Sequence, residues 1–234
     1  MITYILLTVI PVTILGYISY QQYTKSIENE VGSYIPKLLE QANYNINNQM
    51  EEFKKLPDAL YSSQEVIRVL RKDSYQQNSA LLQDQFIVNR FLSENYVHSS
   101  NSDDVLGVFV LSKGRLFKST KRDYVGFETK DFPEPYGSNM DLQGQVEIIL
   151  PHETNLEFEG NPPFVMFEKQ IRDYDNQEDL GVIFIAIELT FLDESLMSLR
   201  EEQDSNVWIT DRRGRIVYHT NSNLIGGIDQ NFNE

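Results

Sequence analysis

The run LGVIFIAIEL (180–189), TFLDESLMSLREEQDSN (190–206) and VWITDRRGRIVYHT (207–220) decides the fold. Its first piece is apolar and β-branched almost without a break up to Glu188, as a strand buried on both faces reads. The second places Phe191, Leu192, Ser195, Leu196 and Leu199 at helical spacing. In the third, two short β-rich runs flank Asp211-Arg212-Arg213-Gly214, a hairpin signal. One sheet therefore ends, a helix crosses over, and a second sheet begins. The expected organisation is a connector helix over 190–205 and an incomplete second lobe over 206–234, so the chain reads as a fragment or a truncated product.

Upstream of that run, VLGVFVL (105–111), RLFKST (115–120), QVEIIL (145–150) and PFVMFEKQI (163–171) supply four more strands. With the 180–189 strand they predict a five-stranded antiparallel sheet, its first two strands joined at Lys113-Gly114. Two short helices are expected before it, Asp58–Lys72 and Ser79–Asn95, with Asp58 and Ser79 as N-caps. From Thr24 to Leu56, apolar residues at steps of three and four (Ile27, Val31, Ile35, Leu38, Leu39, Ala42, Ile46, Met50 and Phe53) predict a long helix with one narrow stripe. Pro36 is its expected kink and Pro57 its stop. The stripe suits packing along its own lobe, pairing with a second copy, or both.

The first 23 residues contain no Asp, Glu, Lys or Arg, and Ile2–Ile18 is apolar nearly throughout. About twenty helical residues span a bilayer core of roughly 30 Å. A signal peptide would begin with basic residues and end at a small-x-small site; neither is present. A retained transmembrane helix over 1–22 is expected, with Tyr17, Tyr20 and Tyr23 at the interface.

A formal net charge of −15, from 35 acidic and 20 basic residues, argues against a nucleic-acid groove. Cysteine is absent, which removes disulfides, thiol nucleophiles and thiolate zinc sites. The three histidines, His98, His152 and His219, are too scattered for a metal site. His152-Glu153-Thr154 follows a proline in a polar loop and not a helix, so it is no phosphoacceptor box. No phosphate-cradling glycine loop and no nucleophile elbow occurs. The residues present carry no enzyme motif, and no cofactor is expected.

The residues ILLTVIPVTILGYISYQQY (5–23), LGVFVLSKGRLFKST, EGNPPFVMFEKQI, LGVIFIAIELTFLD and VWITDRRGRIVYHTNSNLIGG together resemble the extracytoplasmic double-Cache sensor region of Gram-positive membrane sensor histidine kinases. The carbohydrate-linked two-component kinases are the closest in pattern. The resemblance implies an α+β fold: a transmembrane helix, a stalk helix with a membrane-distal Cache-like lobe (23–189), and the start of a second Cache lobe. It implies an extracellular ligand-sensing input domain at the cell membrane, whose full-length protein would be a histidine protein kinase. It also implies a small-molecule ligand, carbohydrate-like or of unknown class; the stripe of the long helix supports a homodimer through it. The alternatives are a membrane-anchored binding protein, or the same module on a transcription regulator, a cyclase or a chemoreceptor.

A pocket between sheet and loops would draw on the Arg122–Gln143 stretch, with Tyr124, Phe127, Phe132 and Tyr136, and on Phe109, Arg115, Phe117, Phe167 and Lys169 from the sheet. Phe109, Arg115, Phe117, Tyr124, Tyr136, Phe167 and Lys169 are the ligand-binding candidates. The Tyr, Arg, Trp, Tyr, Asp spacing of amino-acid-binding double-Cache domains is absent, and the only tryptophan, Trp208, lies beyond the distal lobe.

Overall fold

The structure is a computed structural model that describes residues 2–99, 103–127, 145–150, 153–201, 207–211 and 213–229. Its architecture is α+β. A single helix, α1, runs from Ile2 to Phe53 without a break through Pro11 and Pro36. Its 52 residues reach about 78 Å at ~1.5 Å per residue. Among the described residues its C-terminal part meets the lobe: Ala42 is buried, and Leu38, Ile46, Met50 and Phe53 pack against the core. The predicted stripe is therefore real over its second half. Ile27 and Leu39 are exposed. Among the described residues no helix is long and apolar enough to cross a membrane.

After α1 the chain makes a 3₁₀ segment, Leu56–Ser62, then α2 (Gln64–Leu70) and α3 (Asn78–Leu92). Two expected caps fall elsewhere. Ser63, not Asp58, caps α2 by accepting a hydrogen bond from the Val66 amide. Helix α3 starts behind Gln77, which makes no side-chain cap bond. Pro57 lacks an amide hydrogen and sits in the 3₁₀ turn, which displaces the α-helical start beyond Asp58. Asp58 instead accepts a hydrogen bond from Lys169 on the sheet, at 2.5 Å.

All five expected strands form: β1 (Val105–Ser112), β2 (Arg115–Thr120), β4 (Val146–Ile149), β6 (Phe164–Arg172) and β7 (Asp179–Glu188). They pair antiparallel in the order β2-β1-β7-β6-β4. Lys113 and Gly114, both at positive φ, make the β1–β2 turn. Two-residue strands β3 (Tyr124–Val125) and β5 (Glu157–Phe158) pair with each other outside the sheet.

The apolar continuity of β7 follows from its central place, since both faces of the sheet are covered. Ile183, Ile185 and Ile187 join Val108, Val110, Phe117, Val165 and Phe167 under α1, α2, α3 and α4. Val182, Phe184 and Ala186 join Leu106, Phe109, Leu111, Phe164 and Met166 on the outer face, beneath Phe127, Leu156 and Phe158.

The connector α4 (Thr190–Glu201) buries Phe191, Leu192, Leu196 and Leu199, the residues whose spacing announced it. It lies along α1, with Phe53 and Phe191 edge-to-face at 5.1 Å and Ser195 hydrogen-bonded to Gln49 at 3.4 Å. Then β8 (Trp208–Thr210) and β9 (Ile216–His219) form the expected hairpin. Asp211 organises its turn by accepting from the Arg213 and Arg215 amides at 2.8 and 2.9 Å. Tyr218 on β9 donates to Asp193, which ties the hairpin back to α4.

Candidate functional site

The strand pairing sorts the sequence candidates onto opposite faces of the sheet. Arg115, Phe117, Phe167 and Lys169 lie on the helix-covered face. There Arg115 donates to the Tyr75 hydroxyl at 2.9 Å and to the Lys72 carbonyl at 2.7 Å, and stacks over Phe117. Tyr75 in turn donates to Asp84, which also holds Lys72. These groups tie the α2–α3 connection to the β1–β2 turn. Phe117 and Phe167 are core residues without solvent exposure. Lys169 is engaged by Asp58. On this face the polar candidates already have partners, and the aromatic ones are walled in by helices.

Phe109 and Tyr124 are brought together on the outer face, with ring centroids 5.1 Å apart and edge-to-face. Phe127 packs tilted against Phe109 at 4.6 Å and edge-to-face against Phe184 at 5.3 Å. Tyr136, like Phe132 and His152, lies outside the described residues. The Cα pairings align one row across the whole outer face: Lys118, Phe109, Phe184, Glu168 and Glu147. Lys118 closes one end by donating to the Tyr124 hydroxyl at 2.7 Å. Toward the other end the aromatic series stops at Phe184 and the row turns acidic.

Glu168 is the residue that the sequence reading passed over. It is 1% exposed, and its Oε1 has no hydrogen-bond partner among the described residues. Beside it on β6, Gln170 accepts from the Arg172 guanidinium at 3.0 and 3.2 Å. A signal was present in FVMFEKQIR: alternation puts Phe164, Met166 and Glu168 on one face, so a lone acid interrupts an apolar series. Only the long-range pairing shows that this face is also closed.

Burial, and secondarily the negative charge of Glu147, pushes the Glu168 carboxyl up from 4.5 to about 7. Below pH 4.5 the group is protonated in folded and unfolded chains alike. As pH rises from 4.5 to about 7 the unfolded chain loses this proton first, so stability falls and then levels off. A shift of this size corresponds to about 3 kcal/mol. Glu168→Gln is therefore expected to be near neutral around pH 4 and to stabilise by up to about 3 kcal/mol around pH 8. Urea titrations of both proteins at the two pH values check this. A pH-independent difference would mean the carboxylate is hydrated.

Among the described residues, concavities lie between the main sheet with its helices and the β8–β9 region. A groove of about 720 Å³ runs between α1, α4, the β4–β6 edge and the β8–β9 hairpin, and it is predominantly apolar. A cleft of about 380 Å³ separates the Asn161–Phe164 turn from the Ile225–Gly226 region. Among the described residues no cluster of three or more His, Cys, Asp or Glu is arranged to hold a metal ion.

No family model matches the chain, and no curated protein matches it. Solved structures do. The sensor domain of the Vibrio cholerae histidine kinase DctB superposes with a TM-score of 0.57 at 14% identity, over 87% of this chain and 70% of that one. The ligand-binding domain of the Campylobacter jejuni chemoreceptor Tlp3, in complex with 4-methylisoleucine, gives 0.51 at 16% identity, over 83% and 72%. The Pseudomonas aeruginosa chemoreceptor PctC domain, in complex with GABA, gives 0.49 at 14% identity, over 86% and 78%. The chain thus shares its fold with the sensor domain of the DctB histidine kinase and the ligand-binding domain of the Tlp3 chemoreceptor.

Proposed function

We propose that this chain is the extracellular ligand-sensing input module of a membrane sensor histidine kinase of the two-component type. The observation that carries the reading is the asymmetry of the sheet. One face is closed by α1 to α4, while the other bears an aromatic and acidic row under short irregular segments. A small molecule on that outer face would be read by β1, β6 and β7, and β7 runs directly into α4. From α4, contacts pass to α1 through Phe53–Phe191 and to the second hairpin through Tyr218–Asp193. A ligand that favours one packing of β7 and α4 over another would shift both together.

The anchor is Ile2–Ile18. Its support is the apolar sequence run itself, together with Val12, Leu15 and Tyr17, which among the described residues are each more than half exposed on α1. Such a helix suits a lipid surround. The β8–β9 hairpin is the start of a second, membrane-proximal Cache lobe. The long exposed reach of α1 suits pairing with a second copy. A chemoreceptor input module is the second reading, favoured by the likeness to the Tlp3 domain. A ligand of the carbohydrate class implied by the sequence resemblance would meet the outer face at Tyr124, the half-buried aromatic there.

The test is thermal unfolding of the full chain in detergent micelles against sugars, amino acids, organic acids and amines. At about 100 times its dissociation constant, a true ligand should add about 2.7 kcal/mol of stability. A chain that responds to none of these classes is not a small-molecule sensor.

A further inference from the structure

We propose that the cleft between the Asn161–Phe164 turn and the Ile225–Gly226 region binds a small neutral polyol, the size of one sugar ring, which bridges the main sheet to the β8–β9 region. This site is separate from the outer face of the sheet and does not depend on it. Its volume of about 380 Å³ falls at the small end of the ~300–1,000 Å³ range of ligand pockets. One wall is held under strain. Gly160 and Asn161 have φ of +83° and +48°, in a turn closed by the Asn161 amide donating to the Phe158 carbonyl at 2.9 Å. Asn161 also precedes Pro162, and the sterics of that position favour extended backbone. A left-handed residue ahead of a proline pair persists only where its surroundings enforce it. Here it sets the Asn161 side chain at the cleft on a stiff Pro162-Pro163 support. The facing wall is fixed too. Gly226, at φ +85°, donates to the Ile216 carbonyl at 2.8 Å and accepts from the Arg215 guanidinium at 3.2 Å.

The lining defines the chemistry. Asn161, Asn223 and Glu157 are exposed at the cleft, and among the described residues neither carboxamide is spent on a protein partner. Thr154 accepts from the Leu156 amide at 3.1 Å, which leaves its hydroxyl hydrogen to donate. Among the described residues no lysine, arginine or histidine lines the cleft, so an anion meets no counter-charge there. An apolar molecule would strip water from both carboxamides and return no hydrogen bond. Glu157 is a single exposed carboxylate and holds a small cation weakly. A polyol answers every group: the carboxamides donate and accept, Glu157 accepts, and the ring carbons lie against Pro163 and Ile225. The Pro163 carbonyl accepts from the Leu189 amide at 2.9 Å, immediately before α4. A molecule that holds Pro163 and Ile225 together therefore fixes the entry of the connector against the β8–β9 region.

myo-Inositol is the probe, titrated calorimetrically into the full chain in detergent micelles, with anionic D-glucuronate and apolar cyclohexanol as comparators. It should bind saturably and at least about fivefold more tightly than either comparator. Asn161→Gly keeps the left-handed backbone while removing the carboxamide. Asn223→Ala removes the other from an exposed turn. Each should weaken the probe about fivefold, the loss of one net hydrogen bond, with the far-UV circular dichroism unchanged. Saturating myo-inositol should also slow hydrogen exchange at the Asn161 and Gly226 amides together, because the molecule spans both walls. No saturable binding up to about 10 mM overturns the proposal. So does tighter binding of a comparator, undiminished binding by the double variant, or exchange protection at one wall alone. Each of these results leaves the outer-face reading in place, since the thermal panel decides that one.

Discussion

Phe167→Ala is expected to cost about 3–5 kcal/mol, the range for emptying a fully buried phenylalanine site. Phe167 has no exposed surface and lies at the middle of the helix-covered face. Its ring meets Phe53 of α1 at 5.9 Å, and Phe53 meets Phe191 of α4 at 5.1 Å. The three rings therefore join the sheet, the stalk and the connector. Neighbouring helices cannot collapse into the gap, because the sheet holds them at a fixed distance. The loss should appear in urea unfolding of the full chain followed by far-UV circular dichroism. A cost below about 1 kcal/mol would mean that α1 does not pack on the sheet as described.

Gly181→Ala should be of similar size, about 4 kcal/mol, through a different mechanism. Gly181 has a φ of +140°, a region that L side chains rarely adopt. A Cβ there would stand 2.1 Å from the Leu111 carbonyl oxygen and 3.0 Å from its carbon, so two backbones of a central strand pair would have to separate. Backbone strain of about 1–3 kcal/mol adds to an overpacking cost of about 1–3 kcal/mol. Gly114→Ala is the control. Gly114 is also at positive φ, +72°, but nothing lies within 4 Å of the added carbon. That substitution should cost only about 1–2 kcal/mol. Equal losses for the two variants would show that strands β1 and β7 do not approach this closely.

Both substitutions act on pairings that no local pattern reveals. The strand 180–189 was legible because a run of apolar β-branched residues can be satisfied only between two covered faces. Its neighbours were not legible: β7 lies between β1 and β6, and β1 is separated from it by about seventy residues. The same gap explains the candidate site. Phe109 and Arg115 sit on successive strands joined by a tight turn, and both have chemistry suited to a ligand. Strand pairing sends the first to the outer face and commits the second to Tyr75 and Lys72 under the helices. Glu168 was not singled out in the sequence. Pairing with Phe184 and Glu147 made it a buried acid.

By itself, the sequence determined the elements: the helical stripe along α1, the strands, the Lys113-Gly114 turn, and the amphipathic connector with its hairpin. These follow from short-range physics, namely the 3.6- and 2-residue periods, proline's missing donor and the turn preferences of glycine and aspartate. Only the tertiary structure decided which face each strand residue enters and which residues meet across the sheet. Hydrogen bonds between distant strands set that register, and a shift of one residue would send every side chain to the opposite face.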